Sequence, residues 1–207
     1  MVSCICGPQI WNLVVTQLLL DQLSSPIGDI LVLWDNDEHL RAIDFEDFDE
    51  RMRTLLRRQV GACEISAGIA PPQIRGAIEA YFARDEGPFR NLPIRLGGSK
   101  FQQRVWTVLQ NIPSGTTISY GELARQIGQP TASRAVGLAN GANPIAIRIP
   151  CHRVIGANGR LTGYGGGLWR KEWLLAHEHA LPPQNHALQG GQDRIPFQTS
   201  FNAEKDF

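Results

Sequence analysis

ISYGELARQIGQPTASRAVGLANGANPIAIRIPCHRVI, residues 118–155, is the stretch whose reading decides the fold. Ser119 with Glu122 three positions later is a capping-box pattern, and it opens a short helix over YGELARQIG. Gly128-Gln129-Pro130 is a turn. TASRAVGLANG, residues 131–141, reads as a second short helix, so the pair has the pattern of a helix-turn-helix. That second helix is rich in small residues: Ala132, Ser133, Ala135, Gly137, Ala139 and Gly141. Glycine costs about 1 kcal/mol against alanine inside a helix, so the composition does not serve helix stability. It allows close approach to the backbone, either by a neighbouring helix or by an external partner. IAIRIPCHRVI, residues 145–155, reads as a strand entering a turn.

Outward from this stretch the periodicities are clear. Ser99 with Gln102 forms another capping-box pattern, ahead of Phe101, Val105, Trp106, Val108 and Leu109, and Pro113 ends that helix. Residues 156–167 are a glycine-rich hairpin and loop, and Leu168–Glu178 is a last helix. Toward the N-terminus, residues 16–23, 29–35 and 39–45 read as strands. Residues 48–60 place Phe48, Met52, Leu55, Leu56 and Val60 at helical spacing, and 71–84 do the same with Ile74, Ala77, Ile78, Tyr81 and Phe82. Residues 85–98 read as a linker. The expected class is therefore α+β: a small N-terminal α/β domain with its linker over 16–98, then a mainly helical domain over 99–180. Residues 1–15 are an extension that no Lys or Arg makes into a signal peptide, the first being Arg41. The polar, aperiodic residues 181–207 are expected to be a disordered tail.

Net charge is zero, but it is unevenly spread. Residues 1–99 carry 9 Lys/Arg and 14 Asp/Glu, whereas residues 100–178 carry 9 and 3. An acidic half joined to a basic half suggests that the second half meets a polyanion. No apolar run reaches the roughly 20 residues of a membrane helix. The four cysteines, Cys4, Cys6, Cys63 and Cys151, have neither disulfide-framework nor CxxC spacing, and with the scattered histidines they assemble no zinc site. A reducing, cytoplasmic setting is expected.

Pro150-Cys151-His152-Arg153-Val154 carries the chemistry. A thiol reacts as thiolate, and a neighbouring imidazole or cation lowers its pKa from about 8.5. A lone cysteine in an apolar run is more often simply buried. Glu178 sits at the end of the last helix, where the helix dipole disfavours a carboxylate. A carboxylate that orients an imidazole, which activates a thiol, would be a reason to place it there.

PCHRVIGANGRLTGYGGG, with FQQRVW and ISYGELARQIGQPTASRAVGLANGANP before it and KEWLLAHE after it, resembles the O6-alkylguanine-DNA alkyltransferases, also called methylated-DNA–protein-cysteine methyltransferases, in their bacterial single-function form. The likeness is strong over 99–178 and weaker back to about residue 16. It implies a ribonuclease-H-like N-terminal domain and a winged helix-turn-helix-like catalytic domain. It makes Cys151 the alkyl acceptor, served by His152 through a water with Glu178 behind the imidazole. Asn143 would hold the local backbone. Tyr120 would crowd a phosphate and protonate the leaving guanine, Arg134 would fill the gap in the base stack, and Val154, Tyr164 and Gly165 would line the base pocket. Ser133, Ala135 and Gly137 would meet DNA in the minor groove, which at about 6 Å is narrow enough to need such a face.

The implied function is direct reversal of damage in double-stranded DNA containing alkylated guanine, and of alkylthymine as well. It is a single irreversible turnover by a monomer with no metal or cofactor and no membrane. Extruding the base costs a few kcal/mol, part of which an inserted Arg134 would recover. Glycine at 165, where some members carry a larger residue, predicts a roomier pocket that takes groups beyond methyl. A catalytically silent binder of alkylated DNA, a winged-helix regulator and a cysteine hydrolase are the alternatives. The first lacks the acceptor cysteine, the second has no use for PCHRV with Asn143 and Glu178, and the third would turn over repeatedly.

Overall fold

The computed structural model describes residues 15–181. The expected extension and tail, with Cys4 and Cys6, therefore lie almost wholly outside the described residues. β1 (Thr16–Leu23), β2 (Ile30–Asp35) and β3 (Leu40–Phe45) form an antiparallel meander. Helix α1 (Asp49–Val60) then carries the chain back, so that β4 (Cys63–Ala67) lies parallel to β1 and the sheet order is β3-β2-β1-β4. A parallel neighbour needs such a crossover, which no tight turn supplies. Gly61 ends α1 with φ 75°, its N–H bonded to the Arg57 carbonyl, a backbone setting that suits glycine.

Every residue of β2 and β3 is buried, because both faces of the sheet are covered. Leu18, Leu31, Leu33 and Ala42 pack with Met52 and Leu56 of α1 on one face. On the other, Ile30, Val32, Trp34, Leu40, Ile43 and Phe45 join a core that runs without a break into the second half of the chain. Helix α2 (Pro72–Phe82) adds Ile74, Ala77, Ile78 and Tyr81, the face its spacing predicted.

The second half is built from α4 (Lys100–Leu109), α5 (Tyr120–Gln126), α6 (Ser133–Gly141) and α7 (Leu168–His177). Two-residue strands β5 (Ile118–Ser119) and β6 (Val154–Ile155) pair in parallel beside the helix-turn-helix. The Ser99–Gln102 capping box is complete. At α5 only half of the expected box forms. Ser119 Oγ accepts from the Glu122 N–H at 3.0 Å, while the Glu122 carboxylate turns to Arg125 and Gln126 instead. Trp106 of α4 is fully buried and donates from Nε1 to the Ala139 carbonyl of α6 at 2.9 Å, tying α4 to the second helix of the helix-turn-helix.

Three expectations need correction. Residues 63–67 form the edge strand β4, which the sequence reading missed. The supposed linker 85–98 contains a one-turn helix, α3 (Gly87–Asn91), and buries Phe89 and Leu92. Residues 145–150 are not a strand. Only a short bridge beside β3 forms there, with Ile43 N–H on the Pro144 carbonyl and Ala146 N–H on the Ile43 carbonyl. Ile147 then adopts φ 67°, a left-handed setting costing a β-branched residue about 1–3 kcal/mol. The chain turns on itself, Ile149 N–H reaching the Ile145 carbonyl, and Cys151–Arg153 form a single 3-10 turn.

Removing the Trp106 side chain empties the junction of α4 and α6. Trp106→Ala is expected to lower unfolding stability by about 3–5 kcal/mol in urea titration; a loss below about 1 kcal/mol would mean that the junction is not close-packed.

Candidate active site

The turn at 145–153 is held by side chains in place of a strand partner. Asn143 accepts the Ile145 N–H on Oδ1 at 3.1 Å and donates from Nδ2 to the Ile149 carbonyl at 2.8 Å. The same Nδ2 lies 3.0 Å from Cys151 Sγ. Asn140, which sequence reasoning did not single out, donates to the Cys151 carbonyl at 3.3 Å from the buried side of α6. Cys151 is thereby pinned, the residue only 6% exposed.

Beside it, His152 is completely buried, and its Nε2 lies 2.9 Å from Glu178 Oε1. Its Nδ1 is buried without a hydrogen-bond partner among the described residues. Glu178 caps the C-terminal end of α7 and is itself buried. Three side chains converge on its carboxylate. Arg153 donates from Nε to Oε2 at 2.7 Å and from an Nη to Oε1 at 2.9 Å, Tyr81 of α2 donates its hydroxyl at 2.8 Å, and His152 is the third. Burial would push the Glu178 carboxyl up, but His152 and then Arg153 hold it well below the ordinary carboxylate range. An ionised carboxylate only accepts, so Nε2 carries the proton, and a neutral His152 has a bare Nδ1.

Arg153 therefore serves Glu178; the same Nη that binds Glu178 also reaches Glu86, and the other Nη donates to the Ile112 carbonyl. It does not charge the thiol, as its adjacency in sequence had suggested. Burial pushes the Cys151 thiol up from its ordinary value, the Asn143 hydrogen bond pulls it down, and the nearby cations are Arg51 and Lys171. Burial thus favours the thiol over the thiolate in the resting protein, against the lowering expected from an adjacent imidazole and cation. Lys171 is fully buried on α7, bonded to the carbonyls of Val154 at 2.6 Å and Thr162 at 2.8 Å, so it closes the 156–163 segment onto β6. Burial drops its pKa to about 8.

Val154 is buried next to this group. The Tyr164 ring lies edge-on to the His152 ring at 6.4 Å, with its hydroxyl buried and unpartnered among the described residues. Burial, then the neighbouring Cys151, raises the Tyr164 phenol well above its usual pKa. Gly165 and Gly166 let the loop press flat on the N-terminal half. A Cβ at Gly165 would fall 2.1 Å from an Arg51 nitrogen, and one at Gly166 would fall 2.4 Å from the Phe45 ring. The room expected over Gly165 is thus filled by Arg51.

Arg134 and Ala135 are exposed, and Arg134 makes no ion pair among the described residues. Ser133 is half-buried at the start of α6. Tyr120 opens α5 and lies over Gly137, where an added Cβ would meet its ring at an ordinary 3.8 Å; at Gly141 it would meet nothing within 4 Å. Packing thus does not demand glycine at either place. Leu138, 73% exposed one turn after Arg134, joins this otherwise small face.

Among the described residues, Asp35, Asp37 and His39 approach closely enough to share a cation, but Arg95 already binds both carboxylates and Arg41 binds Asp35. No helix among the described residues is long and apolar enough to cross a membrane.

Residues 100–180 match the family model for the 6-O-methylguanine DNA methyltransferase DNA-binding domain. A methylated-DNA–protein-cysteine methyltransferase of Shigella flexneri is 47% identical over 168 residues, covering 80% of this chain and 98% of its own. One from Mycolicibacterium paratuberculosis is 59% identical over 121 residues, 57% of this chain and 73% of its own. The crystal structure of the Mycobacterium tuberculosis O6-methylguanine methyltransferase aligns with a TM-score of 0.64 at 43% identity, covering 81% of this chain and 96% of that one. An M. tuberculosis structure of the same kind in complex with DNA aligns at 0.63 with 41% identity, covering 79% and 93%.

Glu178 binds its proton only well below the ordinary range when folded, but near 4.5 when unfolded. Its stabilisation is therefore complete above that pH and is lost as pH falls toward the folded value. Glu178→Gln leaves Arg153 buried without its main counter-charge. It should cost about 3–5 kcal/mol at pH 7 in chemical denaturation and flatten the acid limb of the stability profile. An unchanged acid limb would count against the network.

Proposed function

This chain belongs to the methylated-DNA–protein-cysteine methyltransferase family, and on that premise we propose that Cys151 is the acceptor onto which it transfers the alkyl group in its repair of DNA by direct damage reversal. The observation that carries the assignment is the buried row Cys151, His152, Glu178, in which Glu178 fixes the proton on Nε2 and leaves Nδ1 free to accept one.

The thiol proton passes to His152 Nδ1 through one water. The sulfur lone pair forms the new S–C bond to the alkyl carbon in line with the breaking C–O bond. Guanine departs with the electron pair and takes a proton, Tyr120 being its donor. The imidazolium formed on His152 is stabilised by Glu178, as in other nucleophile–base–orienter sets. The product is a thioether, which no group in the site cleaves, so each molecule acts once and needs neither metal nor cofactor. A thiol that ionises only when substrate arrives is also protected from oxidants, whose target is the thiolate.

The target atom is hidden in the duplex, so the base is extruded. The exposed face of Arg134, Ala135, Leu138 and Gly141, shallow near the glycines and with a guanidinium that makes no ion pair among the described residues, suits the minor groove, with Arg134 entering the stack. Ser133 and Gly137 flank it, and Val154, Tyr164 and Gly165 line the base pocket. O4-alkylthymine and alkyl groups beyond methyl are further substrates on this reading.

The sheet order with its single parallel pair supports a ribonuclease-H-like reading of residues 16–98. The β5–β6 pair beside α5 and α6 supports a winged helix-turn-helix reading of 99–180. We read the protein as a cytoplasmic monomer that joins the nucleoid when bound to DNA.

Duplex DNA carrying O6-methylguanine should add one methyl, about 14 Da, to the peptide containing Cys151, with no turnover beyond one equivalent. Cys151→Ser should bind the same DNA and gain nothing. Binding by the wild type without a mass change would instead support a silent damage binder or a regulator, and repeated turnover a hydrolase. Arg134→Ala should keep the chemistry on free methylguanine base and slow repair of the duplex by one to two orders of magnitude, roughly the few kcal/mol of lost stacking compensation.

A further inference from the structure

Arg51 belongs to α1, on the N-terminal side of the molecule, and has no part in the mechanism above. Its guanidinium nevertheless reaches the reaction site. It pairs with Asp44, at the end of β3, and donates to the Gly141 carbonyl, at the end of α6, at 3.1 Å. Three of its atoms lie 2.1–2.7 Å from where a Cβ of residue 165 would stand, so it rests directly on the backbone of the loop that carries Tyr164. One side chain thus touches the DNA-facing helix and the pocket loop and stands within charge range of the sulfur.

We infer that Arg51 is a positioning residue of alkyl transfer: it walls the Cys151 pocket over Gly165 and supplies positive charge beside the sulfur, with Asp44 as its counter-charge. The inference rests on the proposed acceptor role of Cys151.

Two consequences follow from the chemistry. As a wall, the guanidinium limits the size of the group that fits between Tyr164 and Gly165, and it has room to yield because its side chain is part-exposed. As a charge, it is one of few groups facing the thiol. Those groups are Asn143 from the turn after α6, Arg51 from α1, Lys171 from α7, Asp44 from β3, Tyr164 from the loop and His152 next in sequence. Arg51 and Lys171 favour the thiolate, and Asp44 opposes it. Burial raises the Asp44 carboxyl to about 6 in spite of Arg51, so at neutral pH Asp44 is mostly ionised and offsets part of what Arg51 contributes. Removing either member of the pair should therefore move the thiol in opposite directions.

The test uses the full chain as wild type, Arg51→Ala, Arg51→Lys and Asp44→Asn, with two readouts. The first is the pH midpoint of Cys151 modification by iodoacetamide, mapped by peptide mass, which needs no DNA. The second is the ratio of repair rates for O6-benzylguanine and O6-methylguanine in duplex DNA. Arg51→Ala should raise the midpoint by about one pH unit and Asp44→Asn should lower it. Arg51→Lys should keep the midpoint near wild type. Both Arg51 variants should raise the benzyl-to-methyl ratio about tenfold, the low end of what a methylene-sized change in a pocket does. A uniform loss of rate with unmoved midpoint and unmoved ratio would reduce Arg51 to a structural tie and overturn the inference. If wild type transfers no alkyl group, the acceptor reading fails; unmoved midpoints would then sink the Arg51 claim separately.

Discussion

The Glu178 carboxylate is the point on which the site depends. It lies 97 residues from Tyr81 and 26 from His152 along the chain, yet it accepts from both and from the fork of Arg153. A carboxylate taken out of water is stable only when so surrounded, and truncating any donor leaves a buried group without its partner. Tyr81 comes from α2 and both His152 and Arg153 come from the 3-10 turn, so the network can exist only when both halves of the chain are packed together. That accounts for the unbroken core between them. It also gives the N-terminal half a chemical reason to be present, since Tyr81 and Arg51 reach the site from there.

The second constraint is the turn before Cys151. A strand at 145–150 would have drawn the backbone bonds of Ile145 and Ile149 to a neighbour. Asn143 takes both, and the chain absorbs a left-handed Ile147 to present Cys151 on a tight turn against His152. The same amide nitrogen sits on the sulfur, so the residue that shapes the turn also partly offsets the burial of the thiol. The resting state is a buried thiol next in sequence to a histidine whose Nδ1 has no hydrogen-bond partner among the described residues.

How much of this was legible in sequence depended on range. The helices at 100–109 and 72–82 follow from period 3.6 and a capping box, because those signals are local. Cys151, His152, Asn143 and Glu178 could be named because they occur in one motif and its near flanks. β4 was missed because CEISA is a half-exposed edge strand whose pairing is parallel, and its partner is more than forty residues away. IAIRI was misread because its alternation is that of a strand, while the bonds that bend it come from one side chain. Tyr81 was legible only as a core residue of its helix, and Arg51, Asn140 and Lys171 carried no sequence signal, since what each does at the site depends on tertiary placement. The charge on Arg153 was visible, but its partner was not, and adjacency suggested the wrong one.

The central claim is that Glu178 holds His152 as the Nε2–H tautomer and leaves Nδ1 bare. Nitrogen-15 NMR of the histidine-labelled protein at neutral pH, with His152 assigned through a His152→Gln variant, measures this directly. The account predicts a protonated Nε2 and an unprotonated, pyridine-like Nδ1 in the free protein. A proton found on Nδ1, with Nε2 bare against Glu178, would contradict it.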